Sequence, residues 1–284
     1  MSAISLFIKI LPKLVRWKNL LIIIATQYLS AYFLTGTISV ESLLLDIRML
    51  GLSISTVLIA AAGYVINDYY DVKIDYVNRP ERVVVGRYLM RRYILFLHAF
   101  LNVTGITIGI LVSWKIGFID FFAAGFLWFY SNLLKRLPLL GNLTVALLTG
   151  LSVFIVYVHF NVSFFLFAAY AAFAFFISLI REIIKDIEDL EGDKKFDCKT
   201  LPIVLGIRKS KLIIYVINVI FLISVAFLLK QEPKFLWVLS GLSILLGWLS
   251  FKLYKADKSK DFSRLSNFTK QIMILGLISM IFFK

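Results

Sequence analysis

The sequence predicts an all-α integral membrane protein whose chain crosses the bilayer nine times. Three observations carry that expectation. Sixty per cent of the 284 residues are apolar, whereas a soluble globular domain is nearer half. Apolar runs repeatedly reach the ~20 residues that a helix needs to cross a bilayer. Positive charge is almost confined to alternate connecting segments, as in membrane proteins that keep Lys and Arg on one side.

The apolar runs fall at residues 17–34, 49–66, 93–112, 117–134, 141–160, 164–183, 212–229, 235–254 and 268–283. With the N-terminus inside and the runs alternating, all but five of the 31 Lys and Arg residues lie on the inner side. The five are Arg48, Lys115, Lys230, Lys234 and Lys284. A missed or invented span would scramble this asymmetry, so span number and orientation support each other. The N-terminus and the inner loops are thus expected on the cytoplasmic side. A net charge of +14 is accounted for by these loops, and no nucleic-acid partner is expected. Trp17, Trp114, Trp237 and Tyr254 stand near span ends, as an aromatic belt does. No Pro/Gly-rich linker divides the chain, so residues 1–284 read as a single polytopic membrane domain.

The first element opens with Lys9, Lys13, Arg16 and Lys18. Its apolar run is longer than a signal-peptide core and no small-residue cleavage site follows, so it reads as a retained membrane helix. Arg16 and Asn19, one turn apart at its mouth, could bind an anionic group or anchor the helix end.

Acidic residues are gathered more tightly than basic ones. Eleven of the 17 Asp and Glu residues fall in segments 68–81 and 182–197, each following directly on an apolar run. The first begins Asn67-Asp68-Tyr69-Tyr70-Asp71-Val72-Lys73-Ile74-Asp75, and the second contains Asp186-Ile187-Glu188-Asp189-Leu190-Glu191-Gly192-Asp193. Asp68, Asp71 and Asp75 are spaced three then four, and so are Asp186, Asp189 and Asp193. On a helix, positions i, i+3 and i+7 share a face. Each motif is therefore expected to project a carboxylate stripe from the inner end of a membrane helix.

Like charges on one face repel, and near a membrane they resist desolvation. A cation in the stripe removes both costs. Mg²⁺ suits it, being a hard ion commonly held by one or two carboxylates plus substrate phosphates. Two facing stripes could hold a diphosphate through bridging Mg²⁺, and metal-bound diphosphate is a good leaving group. The plainer alternative is charge clustering where helices meet water, which two triplets of identical spacing argue against. EF-hand calcium binding does not fit, because its ligands recur every second residue around a turn glycine.

Basic residues accompany both motifs. Asn78-Arg79-Pro80-Glu81-Arg82 and Gly86-Arg87 follow the first, with Pro80 and Gly86 marking a turn. Arg79 and Arg82 are diphosphate candidates, because the guanidinium fork matches phosphate oxygens. Tyr130-Ser131 and Lys135-Arg136 follow the fourth span, with Asn142 beyond, and Lys135 could meet a diphosphate as a point charge. Arg181 and Lys185 flank the second motif and could neutralise it or bind phosphate. Each of these also has the bland reading of an ordinary basic inner loop. The 26 Phe residues suit either lipid-facing packing or an isoprenoid tunnel. His98 and His159 stand alone in apolar spans, and the single cysteine, Cys198, excludes a disulfide framework within the chain.

Taken together, Asn67-Asp68-x-x-Asp71-x-x-x-Asp75 with Asn78-Arg79-Pro80 resembles the first signature of the UbiA superfamily of intramembrane prenyltransferases. Arg181-Glu182-x-x-Lys185-Asp186-x-x-Asp189-x-x-Gly192-Asp193, followed by Thr200-Leu201-Pro202, resembles the second. Tyr130-Ser131, Lys135 and Gly141-Asn142 resemble the pattern between them. The resemblance implies nine transmembrane helices around a central cavity, with both motifs facing the cytoplasm. It implies Mg²⁺-dependent transfer of a prenyl group from a prenyl diphosphate to a hydrophobic or anionic acceptor. By position, Asn67, Asp68, Asp71 and Asp75 would serve one metal–diphosphate side. Asp186, Asp189 and Asp193 would serve the other, with Arg79, Lys135 and Lys185 on phosphate. Within the superfamily, the second motif is most similar to the digeranylgeranylglyceryl phosphate synthase-like branch, which places geranylgeranyl on the hydroxyl of geranylgeranylglyceryl phosphate. Val83 stands where that branch usually has a proline, and Asp197-Cys198-Lys199 where it often has a glycine. An aromatic-acid prenyltransferase of quinone synthesis and a membrane terpene cyclase share the metal-site expectation. A transporter is the reading from another class.

Overall fold

In a computed structural model, the described residues form a helical bundle without strands, apart from one isolated bridge between Val85 and Leu89. The structure describes residues 10–78 and 80–284, without the side chains of Asn78 and Arg82. Two of the sequence-based diphosphate candidates, Arg79 and Arg82, therefore lie outside the described residues. The helices are α1 (Trp17–Thr35), α2 (Val40–Leu45), α3 (Ile47–Asn78), α4 (Arg91–Val112), α5 (Trp114–Asn132) and α6 (Leu140–Phe160). They continue as α7 (Phe164–Glu188), α8 (Leu190–Lys195), α9 (Leu201–Leu228), α10 (Phe235–Lys255) and α11 (Ser259–Ser279).

Each apolar run lies on one of these helices, but the expected count of nine spans is not borne out as such. Seven of the described helices are long and apolar enough to cross a membrane. The two outside that set, α1 and α5, have 19 residues each. Lys18, Asn19 and Gln27 dilute the apolar character of α1, and Lys115 and Asp120 that of α5. Exposed apolar side chains cover the outside, among them Phe96, Val103 and Leu111 on α4 and Trp237, Ile244 and Trp248 on α10. A surface of this kind is stable against lipid. The protein is an integral membrane protein.

Chain chemistry sets the element ends. Gly36, at φ 73°, closes α1 in the left-handed conformation that glycine adopts without strain. The Ser39 hydroxyl accepts the Ser42 N–H to start α2, and Ser113 does the same for Lys115 at the start of α5. Pro202 opens α9, and Gly206, at φ 82°, kinks it before the spanning part begins. Where α4 meets α5, a Cβ on Gly117 would sit 2.8 Å from the Ile110 backbone nitrogen, so the glycine permits that approach.

Helix α3 positions the first motif. Its 32 residues extend about 48 Å at 1.5 Å per residue, well beyond a hydrocarbon core of about 30 Å. Asp68, Asp71 and Asp75 ride on its protruding end. Helix α7 positions the second motif and is the bundle's central post. Ile177, Ile180, Ile183 and Ile184 on it are fully buried, and it packs against α6, α9 and α11. At the end away from the motifs, His159 Nε2 lies 3.2 Å from Asp46 Oδ2, joining α6 to the α2–α3 corner.

Candidate active site

A cavity of about 570 Å³ opens between α1, α3, α5, α6, α7 and α11, within the range of small-molecule sites. Its mouth is polar, with Arg16, Asn19, Asn67, Asp68, Asp75 and Lys185. Its depth is apolar, with Ile59, Leu127, Phe173, Ile177 and Met280 among the walls.

Arg16 sits at the start of α1 with φ 52°, a left-handed conformation that is costly for a residue with a Cβ. That bend aims its guanidinium at α3. Arg16 Nη2 donates to Asp68 Oδ1 at 2.9 Å, and the guanidinium carbon lies 4.9 Å from the Tyr64 ring centre. Burial opposes the Arg16 charge, but Asp68, Tyr64 and Asp75 together outweigh it and the pKa rises. Asn19 donates to the Tyr64 hydroxyl at 3.3 Å. Arg16 and Asn19, read in the sequence as a possible anion site, thus both partner residues of α3.

Lys135 reaches the first motif from a 3₁₀ turn (Leu134–Arg136) between α5 and α6. Its Nζ donates to Asp71 Oδ1 at 2.6 Å. Burial lowers the Lys135 pKa even against the pull of Asp71. The turn is held close by Gly141, where a Cβ would stand 2.8 Å from the Lys135 Cα. The next residue, Asn142, donates from Nδ2 to Asp186 Oδ2 at 2.8 Å. One short segment therefore touches both motifs, which explains physically why Lys135 and Gly141-Asn142 recur together in the pattern read above.

The second motif departs from the expected single stripe. Helix α7 ends at Glu188, and Asp189 caps it at φ −91°, ψ 6°. Asp193 belongs to the separate short helix α8. Asp186, Asp189 and Asp193 consequently do not lie on one continuous helical face. The break falls at Asp189, just after Ile187, the last buried apolar residue of α7. The first motif has no such break, since α3 is continuous through Asn78.

The break turns Asp193 toward the first motif, and α8 packs against α3. Burial first, then Asp189 and Asp71, raise the Asp193 pKa to about 7. Asp71 is thus an electrostatic neighbour of Asp193, so the two motifs face each other. Asp71, Asp186, Asp189 and Asp193 do not line the cavity itself. Among the described residues, no three His, Cys, Asp or Glu side chains converge as a ready metal cage. Cys198 beside the motif is buried, and burial and Asp193 raise its pKa, so its thiol is held in the inert form.

Several cavity residues carried no distinctive sequence signal. Tyr64 is one turn before Asp68, a spacing that places it on the motif's face. Glu182 is buried, bonded by Arg181 Nη1 and 3.8 Å from Lys185 Nζ. Tyr130, singled out with Lys135, lines the cavity. Asp120 on α5 and Lys270 on α11 also line the cavity. Their depth follows from packing alone.

Residues 20–272 match the sequence model of the UbiA prenyltransferase family. The chain is 34% identical over 235 residues to a digeranylgeranylglyceryl phosphate synthase from Methanococcoides burtonii, across 79% of this chain and 80% of that protein. It is 40% identical over 166 residues to the protein of that name from Pyrococcus horikoshii, across 58% and 59% of the two chains. It matches a solved digeranylgeranylglyceryl phosphate synthase structure with TM-score 0.70 at 25% identity, over 96% of this chain and 97% of that one. A UbiA homolog from Archaeoglobus fulgidus bound to DMAPP and Mg²⁺ shares the fold, with TM-score 0.68 at 16% identity over 95% and 98% of the chains.

Proposed function

The chain belongs to the UbiA prenyltransferase family, and from that premise we propose that it transfers geranylgeranyl from geranylgeranyl diphosphate to the free hydroxyl of geranylgeranylglyceryl phosphate, with Mg²⁺ as cofactor. One observation carries the reading. Two facing clusters of carboxylates, the first already paired with Arg16 and Lys135, stand by the polar mouth of a cavity whose walls are mostly apolar further in. A prenyl diphosphate has the same division of polar head and apolar chain.

The carboxylates suit the metal by their chemistry. They offer hard oxygen donors, and Asp193 is raised to about 7 by burial and by the like charge of Asp189 and Asp71. Without a protein cage, such donors match an ion that takes one or two carboxylates and completes its shell with phosphate and water. Asn67, Asp68, Asp71 and Asp75 would hold it on one side, and Asp186, Asp189 and Asp193 on the other. Bound Mg²⁺ supplies charge neutralisation to the leaving diphosphate.

The chain's own residues do the rest. Lys135 and Lys185 meet phosphate oxygens, and Arg79 and Arg82 are assigned the same role from their place in the motif. Arg16 pairs with Asp68 and orients it. The apolar walls hold the isoprenoid chain and exclude water from the reacting carbon, so that the acceptor rather than water captures it. In the transfer the C1–O bond to diphosphate breaks, a C1–O bond to the acceptor forms, and the acceptor hydroxyl loses its proton. Residues 1–284 act as one domain. The N-terminus and both motifs face the cytoplasm, a reading supported by the one-sided distribution of Lys and Arg.

The test is an assay in membranes containing the protein, with labelled geranylgeranyl diphosphate and Mg²⁺. Geranylgeranylglyceryl phosphate and an aromatic acid are offered separately. Product with the glyceryl phosphate alone supports this reading. Product with the aromatic acid alone replaces it with an aromatic prenyltransferase.

A further inference from the structure

Helix α7 carries Arg181, Glu182 and Lys185 on the cavity side, and α11 carries Lys270 into the same space. Glu182 is 6% exposed. Its electrostatic neighbours are Lys185, Arg181, Arg16 and Lys270. Glu182 therefore stands among several cations, of which Arg16 is also bonded to Asp68. Charge at membrane depth is costly unless it is paired.

The depth of this cluster separates it from the carboxylate motifs. Arg181 precedes Asp186 by five residues on α7, about 7.5 Å deeper along the axis. Helices α7 and α11 run antiparallel. The Ser259 hydroxyl bonds to the Glu188 carbonyl at 3.2 Å near the mouth, and Gly276 abuts the Phe173 ring deep inside. Lys270, between those two contacts, is level with the turn that holds Ser178 and Arg181. Its side chain leans toward the N-terminus of its helix, which is the mouth end. Arg181 Nη1 is occupied by Glu182, while its Nε is buried without a hydrogen-bond partner. A guanidinium with an unused buried donor, facing a cavity that an ammonium also lines, is suited to a phosphate.

We propose that Arg181 and Lys270 form a second anion subsite that takes the phosphate monoester of the acceptor, distinct from the diphosphate site at the carboxylate motifs. The assignment rests on the acceptor class given under Proposed function. Glu182 fixes the Arg181 fork and spaces the two cations. In a glyceryl phosphate the phosphate and the free hydroxyl are a few bonds apart. Anchoring one end at Arg181 and Lys270 presents the other toward the mouth, where the donor's C1 leaves its diphosphate. Arg181 and Lys270 are thus substrate-positioning residues, and they favour an acceptor with a charged head over a neutral alcohol.

The test uses the full chain in membranes, with geranylgeranyl diphosphate and geranylgeranylglyceryl phosphate varied in turn. Lys270→Met keeps the apolar stem and removes the charge. It is expected to raise KM for the acceptor at least about ten-fold, leaving KM for the donor within about two-fold. Lys270→Arg should restore most of the acceptor affinity, and Lys260→Met, an exposed lysine on the same helix, should behave as wild type. Lys270→Gln repeats the test if the Met variant does not accumulate as folded protein. An unchanged acceptor KM, or an equal rise in both KM values, overturns the subsite. If wild-type protein makes no product from the glyceryl phosphate, the functional reading itself fails and the subsite with it. That outcome is seen before any variant is compared.

Discussion

Lys135 Nζ lies 2.6 Å from Asp71 Oδ1, and Asp71 in turn bears on Asp193 across the gap between the two motifs. The lysine therefore acts on carboxylates of both motifs, and it is largely buried, with 10% of its side chain exposed. Its charge offsets repulsion between the motifs as well as pairing Asp71.

Lys135→Met should leave Asp71 and Asp193 facing each other without that charge. Leaving a buried carboxylate unpaired costs about 1–3 kcal/mol of stability. The donor-dependent kcat/KM should fall about a hundred-fold, two charge-assisted contacts being lost. Thermal unfolding and steady-state assays at saturating Mg²⁺ check the two effects separately.

Asn142→Ala removes the donor that holds Asp186 at 2.8 Å. The Asp186 carboxylate is then free to turn, and transfer activity should drop about ten-fold or more with a Mg²⁺ requirement shifted to higher concentration. Asn142→Asp, which sets a second carboxylate against the first, should lose more than the alanine variant. A Mg²⁺ titration of activity for the two variants tests the order.

The Asp193 carboxyl has a pH signature. Its pKa is raised from 3.8 to about 7 in the folded chain. Between those values the folded state holds a proton that the unfolded state has released. Its contribution to stability without Mg²⁺ is therefore full below 3.8 and lost as pH rises through about 7. Metal binding requires the carboxylate, so Mg²⁺ should bind more weakly as pH falls below that value. Unfolding temperatures across this range, with chelator and with Mg²⁺, should converge at low pH and separate at high pH.

Gly141→Ala places a methyl group 2.8 Å from the Lys135 Cα. Backbone has to move to make room, and what moves is the turn that aims Lys135. Activity should fall about ten-fold or more while Gly125→Ala, which has open space beside it, stays near wild type. Comparison of the two variants by kcat/KM separates displaced geometry from a general helix effect.

How far the site could be read from sequence follows from what each signal depends on. Asp68, Asp71 and Asp75 are legible because α3 is continuous, so spacing alone fixes their face. Asp186, Asp189 and Asp193 have the same spacing, but the helix breaks at Asp189, where apolar packing ends. Periodicity carries no sign of that break. The role of Lys135 was visible as a basic residue after a span, whereas its pairing with Asp71 depends on the Gly141 contact between turn and helix. Lys270 was out of reach for a different reason. Its meaning comes from the register of α11 against α7, a tertiary property of two helices far apart in the chain. The span pattern was legible wherever apolar runs were uninterrupted, and least so in α1 and α5, where Asn19 and Asp120 face the cavity.

The most direct measurement is Mg²⁺-dependent release of diphosphate from geranylgeranyl diphosphate, with product formation on geranylgeranylglyceryl phosphate, in wild type and in the double variant Asp68→Ala, Asp71→Ala. Release and transfer in wild type that both vanish with chelator and in the double variant are the expected result. Transfer undiminished in the double variant would contradict the assignment of the carboxylate clusters as the diphosphate site.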